Sequence, residues 1–281
     1  MADPIRMSAC SANYGRADLF RVVDRLAEHG FDGVEITVMY HAVPAETPAA
    51  RRREIRRHVA LRGLEISALH FIFEGGMRMA SDDPAERARV ADHMVAVFQL
   101  AADLEAPVVV IGGGGVRAVP ENMDREEGVA RVLGVYEAAL RWAEALGVVA
   151  GFEALNRYEA NLGHTLDECR ALAERIGGPA IRVVGDTFHM NIEEASLPAA
   201  IERAGPSLAH LHLVDSHRLA PGGGHIDFPP IFDALRRIGY GGYVSFEFFS
   251  ISPRLWYLPT FEACDAEAAK GLRHLRDLGL V

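Results

Sequence analysis

Apolar, strand-like runs alternate with amphipathic helical stretches eight times along this chain. The predicted strands span residues 6–11, 33–38, 65–73, 107–111, 148–155, 181–186, 208–214 and 243–249. The helices predicted to follow them span residues 18–29, 48–62, 83–104, 124–146, 165–176, 197–204, 228–238 and 261–278. Eight strand–helix units in 281 residues predict an α/β fold, a single (β/α)8 TIM barrel. Because no Pro-, Ser- or Gly-rich linker divides the chain, one domain is predicted over residues 1–281.

Composition and charge narrow the classes of function. A hydrophobic fraction of 49% is enough to bury a large core, and the net charge is −10. The only dense Arg run, residues 51–57, lies on a helical pattern, so a nucleic-acid partner is disfavoured. Cys10, Cys169 and Cys264 are too far apart for a metal-type pair, which indicates a reducing cytoplasm. No apolar run approaches membrane-spanning length, so no membrane association is predicted.

Ligand-type side chains stand at the ends of four successive predicted strands. They are Glu153, Asp186, His212 and Glu247. In a barrel of this kind the active site lies at the C-terminal ends of the strands, so these side chains are expected to converge. A carboxylate in an apolar strand is costly unless something pairs with it, and one shared divalent cation would satisfy all four residues. Three carboxylates and one imidazole suit Mn²⁺, Co²⁺ or Mg²⁺ better than a thiolate-bound metal.

Two motifs carry a family resemblance. The more specific is Asp-Thr-Phe-His-Met-Asn-Ile-Glu-Glu at residues 186–194. The other is Asp-Ser-His-Arg at 215–218, followed by Pro-Gly-Gly-Gly-His-Ile-Asp-Phe at 221–228. With these motifs the chain resembles the ketose 3-epimerase group, which includes D-tagatose and D-psicose 3-epimerases, within the xylose-isomerase-like barrel superfamily. The resemblance spans the whole barrel pattern but is specific in its motifs only over residues 152–249.

The resemblance implies a metal-dependent sugar epimerase that inverts C3 of a ketose through a cis-enediolate. The implied metal ligands are Glu153, Asp186, His212 and Glu247, holding one divalent ion, Mn²⁺ first and Co²⁺ or Mg²⁺ as alternatives. The implied substrate contacts are Glu159, His189 and Arg218. Epimerisation removes a proton from one face of the carbon and returns one to the other. Two carboxylates on opposite faces, Glu153 and Glu247, are therefore expected to act as the acid–base pair.

The first half of the chain departs from the family pattern. The glycines at 112–115 follow strand four and permit close backbone approach, which would suit a larger substrate or a phosphate. Arg117 is the only positive charge near this loop, and it leaves a phosphorylated substrate open. Glu35 and His70 are expected to face the barrel mouth. Trp256 and Tyr257, after strand eight, are expected to fold over the site or to meet a second subunit, in a homodimer or homotetramer.

Other functions remain open at the level of sequence. An aldose–ketose isomerase of the hydroxypyruvate isomerase type would use the same barrel and metal with a different substrate fit. A metal-dependent dehydratase acting on a keto-cyclitol or keto-sugar would need its proton donor aligned with a leaving hydroxyl. The endonuclease IV type needs ligands for three zinc ions, and strand four offers glycines where a further His would be wanted. A non-catalytic sugar-binding barrel is the remaining alternative.

Overall fold

The computed structural model of the chain describes residues 4–248, 258 and 260–281. Eight parallel strands pair in sequence order and close into a barrel, in which β1 pairs with both β2 and β8. The strands are β1 (Arg6–Cys10), β2 (Gly33–Thr37), β3 (Glu65–His70), β4 (Val108–Ile111), β5 (Val149–Glu153), β6 (Ile181–Asp186), β7 (Leu208–Leu213) and β8 (Tyr243–Phe246). The predicted (β/α)8 barrel is confirmed.

Helices of the described residues surround this barrel. They are α1 (Leu19–His29), α2 (Val38–His41), α3 (Ala49–Leu61), α4 (Pro84–Leu104), α5 (Arg125–Leu146), α6 (Leu166–Ile176), α7 (Thr187–Glu193), α8 (Leu197–Ala204), α9 (Phe228–Arg237) and α10 (Phe261–Asp277). Short 3₁₀ turns span Ser11–Tyr14 and Gly205–Ser207. The main apolar core fills the layer between the strands and these helices.

Side-chain caps explain where several helices begin. The carboxylates of Asp18, Asp83 and Asp124 accept backbone N–H hydrogen bonds at 3.0, 2.8 and 3.0 Å, and the Thr165 hydroxyl does so at 3.1 Å. Each such cap satisfies an N–H that the first helical turn leaves unpaired, and its removal typically costs about 1 kcal/mol. These four residues are also the first residues of four predicted helices.

The inside of the barrel is lined by small side chains as well as polar ones. A separate apolar cluster contains Ala68, Val108, Val110, Val184 and Ala209. Ser8, Ser67 and Ser245 are fully buried, and Ser67 Oγ donates to Ser8 Oγ at 2.9 Å. This interior differs from the bulky apolar layers usual in such barrels, and it accommodates charged side chains below the mouth.

Helix α7 was not predicted, because residues 187–193 were interpreted as the continuation of a strand end. The Asp186 Oδ1 atom accepts hydrogen bonds from the backbone N–H groups of Phe188 at 2.7 Å and His189 at 3.4 Å. This carboxylate therefore starts a seven-residue helix directly after β6. The turn of the helix carries His189 back over the barrel mouth.

Several other predicted boundaries shift. Strand β3 ends at His70 rather than at residue 73, and β5 is shorter than the predicted span 148–155. Helix α2 was not predicted, and it begins at Val38, where the second strand was predicted to end. The predicted end of strand eight, at residue 249, lies outside the described residues. Trp256 and Tyr257 lie outside them as well, so their predicted roles stay predictions.

Candidate metal and substrate site

The four predicted ligands meet at the C-terminal end of the barrel. Glu153 and Asp186 are the last residues of β5 and β6, His212 lies in β7, and Glu247 directly follows β8. Each offers one ligand atom, all four atoms lie within 4.8 Å of one another, and all four residues are buried. The parallel strands place consecutive C-terminal ends side by side, which explains the convergence of residues so distant in sequence.

The donor set fits a divalent cation. His212 Nδ1 lies 3.0 Å from Glu153 Oε1 and 3.1 Å from Glu247 Oε2. Asp186 Oδ2 is buried and accepts no hydrogen bond from any described residue. Burial raises the pKa of Asp186 to about 6, although the nearby His189 acts in the opposite direction. Glu247 Oε1 is likewise buried and accepts no hydrogen bond from the described residues. A divalent cation would compensate the negative charge of three buried carboxylates and coordinate such unpaired oxygens.

A buried carboxylate below the ligands fixes the orientation of His212. Glu35 Oε1 lies 3.0 Å from His212 Nε2, and Glu35 Oε2 lies 3.2 Å from His210 Nε2. With Nε2 engaged, His212 is left to present Nδ1 to the ligand cluster, the arrangement by which a carboxylate orients a metal-binding imidazole. Burial alone would lower the pKa of His212, but Glu247 and Glu35 hold it well above its usual value. Glu35 thus lies beneath the ligands rather than at the mouth.

His70 stands between the two candidate acid–base residues. Its Nδ1 atom lies 2.9 Å from Glu247 Oε1, and its Nε2 atom lies 3.8 Å from Glu153 Oε2. The imidazole lines the cavity above the ligands, as predicted for a residue at the mouth. Burial would lower the pKa of His70, but Glu247 raises it well above its usual value, so the two side chains form an ion pair that can hold the carboxylate toward the cavity.

The predicted substrate-binding residues form a second polar cluster. Arg218 Nη1 donates to Glu159 Oε1 at 2.7 Å, and Arg218 Nη2 lies 3.4 Å from His189 Nε2. Asn156, which sequence reasoning did not single out, has its Nδ2 atom 2.6 Å from His189 Nδ1 and 3.2 Å from Glu159 Oε1. The predicted trio is thus brought together, with a fourth polar residue between two of its members.

The Asp215 carboxylate organises the loop that carries Arg218. It accepts hydrogen bonds from backbone N–H groups of Ser216, Gly222, Gly223, Gly224 and Ile226, at 2.8 to 3.2 Å. Burial would raise the pKa of Asp215, but these N–H groups lower it below its usual value. The Asp215 carbonyl oxygen also accepts from the Arg218 N–H at 2.8 Å. The motif at 215–228 is therefore a folded scaffold for one guanidinium group.

The glycine run after β4 has a structural explanation at two positions. A Cβ atom at Gly112 would lie 2.2 Å from Glu153 Oε2, and one at Gly114 would lie 2.1 Å from the Glu159 carbonyl oxygen. Arg117 is fully buried and donates to the carbonyl oxygens of Leu162 at 3.1 Å and Glu153 at 2.7 Å. The guanidinium group of Arg117 is therefore engaged inside the protein and does not reach a substrate phosphate.

A cavity of about 330 Å³ opens above the ligand cluster. It is lined by His70, Phe71, Gly113, Gly114, Gly115, Glu153, Leu155, Glu159, His189, Arg218 and Glu247. The cavity thus joins both candidate acid–base carboxylates to the cluster around Arg218. Its size is at the lower end of the roughly 300–1,000 Å³ that small-molecule sites occupy, which suits a monosaccharide-sized ligand.

Known proteins resemble this chain in sequence and in fold. Residues 23–278 match the family described as xylose isomerase-like TIM barrel. D-psicose 3-epimerase of Enterocloster bolteae is 33% identical over 231 residues, which are 80% of this chain and 75% of that relative. The crystal structure of D-psicose 3-epimerase with D-tagatose from Clostridium cellulolyticum H10 has a TM-score of 0.87 and 25% identity, covering 97% of this chain and 99% of that chain. The 3-dehydro-D-guloside 4-epimerase of Escherichia coli (strain K12) is 38% identical over 105 residues, 37% of this chain and 40% of that relative.

These similarities, together with a closed barrel and a buried ligand cluster at its mouth, define a sugar isomerase or epimerase of the xylose isomerase type. Within that class the chain belongs to the ketose 3-epimerase family and is a sugar epimerase. The family, fold and class of enzyme predicted from the sequence are confirmed. Among the helices of the described residues, none combines the length and apolar character needed to cross a membrane.

Proposed function

We propose that this epimerase inverts C3 of a ketose, with Glu153 and Glu247 as its acid–base pair. The observation that carries the proposal is the pair of glutamates flanking His212 Nδ1 at 3.0 and 3.1 Å, both lining one cavity. One carboxylate removes the C3 proton and the other delivers a proton to the opposite face. Either residue begins, depending on which epimer is bound, and the reaction passes through a cis-enediolate.

Glu153, Asp186, His212 and Glu247 are proposed to hold one divalent ion, Mn²⁺ first, with Co²⁺ or Mg²⁺ as alternatives. When bound, the ion supplies Lewis-acid polarisation of the ketone and its neighbouring hydroxyl. The chain's own residues do the rest of the chemistry. Arg218 and His189 hold the substrate oxygens near the ketone and stabilise the negative charge of the enediolate. Glu159 keeps Arg218 in place through their ion pair.

The test of the reaction is proton exchange in D₂O. With Mn²⁺ and a panel of free ketohexoses, the enzyme is expected to place deuterium at C3 of the product and, in time, of the substrate. Deuterium at C1 instead would identify an aldose–ketose isomerase, and loss of water from the substrate would identify a dehydratase. Either result, read by NMR, contradicts the proposed C3 epimerisation.

The test of the residues is a pair of isosteric substitutions. Glu153→Gln and Glu247→Gln keep size and one coordinating oxygen but remove the basic carboxylate. Turnover is expected to fall by roughly 10²–10⁴-fold in each variant, the usual loss for a general acid–base group. Glu202→Gln, on the surface of α8, is the matched control and should behave like the parent enzyme. Turnover within tenfold of the parent in either active-site variant would overturn the assignment.

We further propose that the enzyme works in the cytoplasm as a homodimer or homotetramer. The support for a reducing compartment is that Cys10, Cys169 and Cys264 are buried and are not joined in disulfides. The large exposed side chains of Trp142 and Tyr158 are candidate contacts between subunits. Light scattering coupled to size-exclusion chromatography measures the assembly, and a monomeric mass at micromolar concentration contradicts it.

A further inference from the structure

A second and larger cavity adjoins the one above the ligand cluster. It has a volume of about 1050 Å³ and lies between the loop that follows β3, residues 73–83, and the loop that follows β4, residues 115–123. We call this cavity the side groove. Gly115 lines both the side groove and the smaller cavity of about 330 Å³, so the two cavities are neighbours at this residue. A monosaccharide bound over the ligand cluster would leave the side groove empty.

Glycines keep the side groove open without being required by the backbone. At Gly75 and Gly115 no atom lies within 4 Å of the position that a Cβ atom would take, and neither residue has a left-handed φ. This distinguishes them from Gly112 and Gly114, where packing forbids a side chain, and from Gly113, whose φ is +70°. The missing side chains at Gly75 and Gly115 therefore create space and satisfy no other structural demand that the described residues reveal.

The chemistry of the side groove favours an uncharged, hydroxyl-rich occupant. Its acidic lining residues are Glu74, Asp82, Asp83 and Glu86, and Arg78 is its one cationic lining residue. Asp82 is paired with Arg131, Asp83 caps α4, and Glu86 accepts from Ser81. Excess negative charge repels a phosphate group, whereas carboxylates accept hydrogen bonds from sugar hydroxyls.

Two charged side chains in the side groove are free to make such contacts. Glu74 and Arg78 are exposed and form no hydrogen bond or ion pair with the described residues. Phe73, Met77 and Met123 add apolar surface beside them, against which the C–H face of a sugar ring can pack. Acceptors, one donor and apolar surface in a single groove match a neutral sugar ring.

We propose that the preferred substrate is a keto-sugar carrying a second, uncharged sugar unit, which the side groove binds while the keto-sugar reacts over the ligand cluster. This inference rests on the proposed C3 epimerisation and adds the substrate class to it. Contacts with a remote, non-reacting unit raise kcat/KM when their binding energy orients the reacting carbon. The residues of the smaller cavity thus determine which reaction occurs, and the side groove determines which substrate is preferred.

The test compares three ketoses that share one reacting end: D-fructose, 6-O-α-D-glucosyl-D-fructose and D-fructose 6-phosphate. The kcat/KM for C3 exchange in D₂O is expected to be on the order of tenfold higher for the glucosyl sugar than for fructose. The phosphate is expected to fall below fructose. Equal or lower kcat/KM for the glucosyl sugar, with exchange on fructose intact, overturns this inference alone. Absence of C3 exchange on all three overturns the proposed function and this inference with it.

A pair of glycine substitutions locates the effect. A Cβ atom at Gly75 would meet nothing within 4 Å, and Gly75 lines the side groove, so Gly75→Phe adds a ring at the wall of the groove. The ratio of kcat/KM for the glucosyl sugar to that for fructose is expected to fall about tenfold. Gly134→Phe is the matched control, because Gly134 lies on α5, outside both cavities, and also has open space at its Cβ position. Its ratio should equal that of the parent enzyme. An unchanged ratio in Gly75→Phe, with a parent-like thermal unfolding curve, overturns the inference.

Discussion

The two halves of the barrel contribute to the site in different ways. Strands β5 to β8 deliver the candidate ligands and acid–base residues, all at or next to their C-terminal ends. Strands β2 and β3 and the loop after β4 supply residues that support them: Glu35 holds His212, His70 contacts Glu247, and Gly112 leaves room for Glu153. The ligand half determines which chemistry the site can perform, and the supporting half determines whether the ligands are correctly placed.

The largest effect is expected from breaking the ligand half at Asp186. In Asp186→Asn one oxygen can still cap α7, but the carboxylate oxygen that accepts no hydrogen bond is lost. Metal affinity is expected to fall by more than the roughly 10–100-fold typical of residues that only contact ligands, and turnover with it. Elemental analysis after dialysis against limiting Mn²⁺ measures the loss. Metal content equal to that of the parent, and of the surface control Asp233→Asn, would contradict the ligand assignment.

A methyl group at Gly112 tests how closely the two halves fit. In Gly112→Ala the new Cβ atom would lie 2.2 Å from Glu153 Oε2, so the carboxylate must move. A displacement of this size near the reacting carbon is expected to lower turnover on the order of 100-fold. Gly134→Ala, where the added methyl group meets nothing, is the control. Parent-like turnover in Gly112→Ala would show that catalysis does not depend on the position that the Glu153 carboxylate occupies in this structure.

Glu35→Gln tests the supporting half alone. The amide can accept a hydrogen bond from only one of His210 and His212, so His212 loses part of its fixed orientation. Metal affinity is expected to fall about 10–100-fold. Because the ligands themselves remain, excess Mn²⁺ should restore most of the turnover in Glu35→Gln and much less in Asp186→Asn. If excess Mn²⁺ restored the turnover of both variants equally, the assignment of Asp186 as a ligand and of Glu35 as a supporting residue would be contradicted.

The contrast between the halves also explains what the sequence could predict. Strand periodicity and strand-end residue types were enough for the barrel and for the convergence of Glu153, Asp186, His212 and Glu247. The residues that support the ligands show no such sequence pattern. From the sequence, Glu35 is expected to face the barrel mouth, and only its distance of 3.0 Å to His212 Nε2 shows that it contacts a ligand. Arg117 looks like a substrate contact because burial cannot be inferred from one charge in a glycine-rich loop. A single sequence therefore shows which kinds of side chain stand at the strand ends, but it does not show how deeply each side chain lies within the barrel.

The missed helix that carries His189 has a similar cause. The stretch 187–193 is short, so it lacks a full amphipathic repeat, and its start depends on the Asp186 side chain. The same carboxylate was already interpreted as a metal ligand. Its two oxygens serve the two purposes separately, since Oδ1 caps α7 and Oδ2 accepts no hydrogen bond from the described residues. Sequence reasoning that gives each residue one role overlooks this division.

The smallest effect is expected at the rim of the ligand half, where Glu193 of α7 pairs with Arg157. Hydrogen bonds from Arg157 lower the pKa of Glu193 to about 2, against about 4.3 in an unfolded chain. A carboxylate with a lowered pKa stabilises the folded state above its unfolded pKa, and this contribution is lost as the pH falls toward the folded value. The urea midpoint of Glu193→Gln should therefore lie below that of the parent at pH 7, with a gap that narrows below about pH 5. Metal content should not change, because the pair lies outside the ligand cluster. A gap that widens on acidification would contradict the stabilising role of the ion pair.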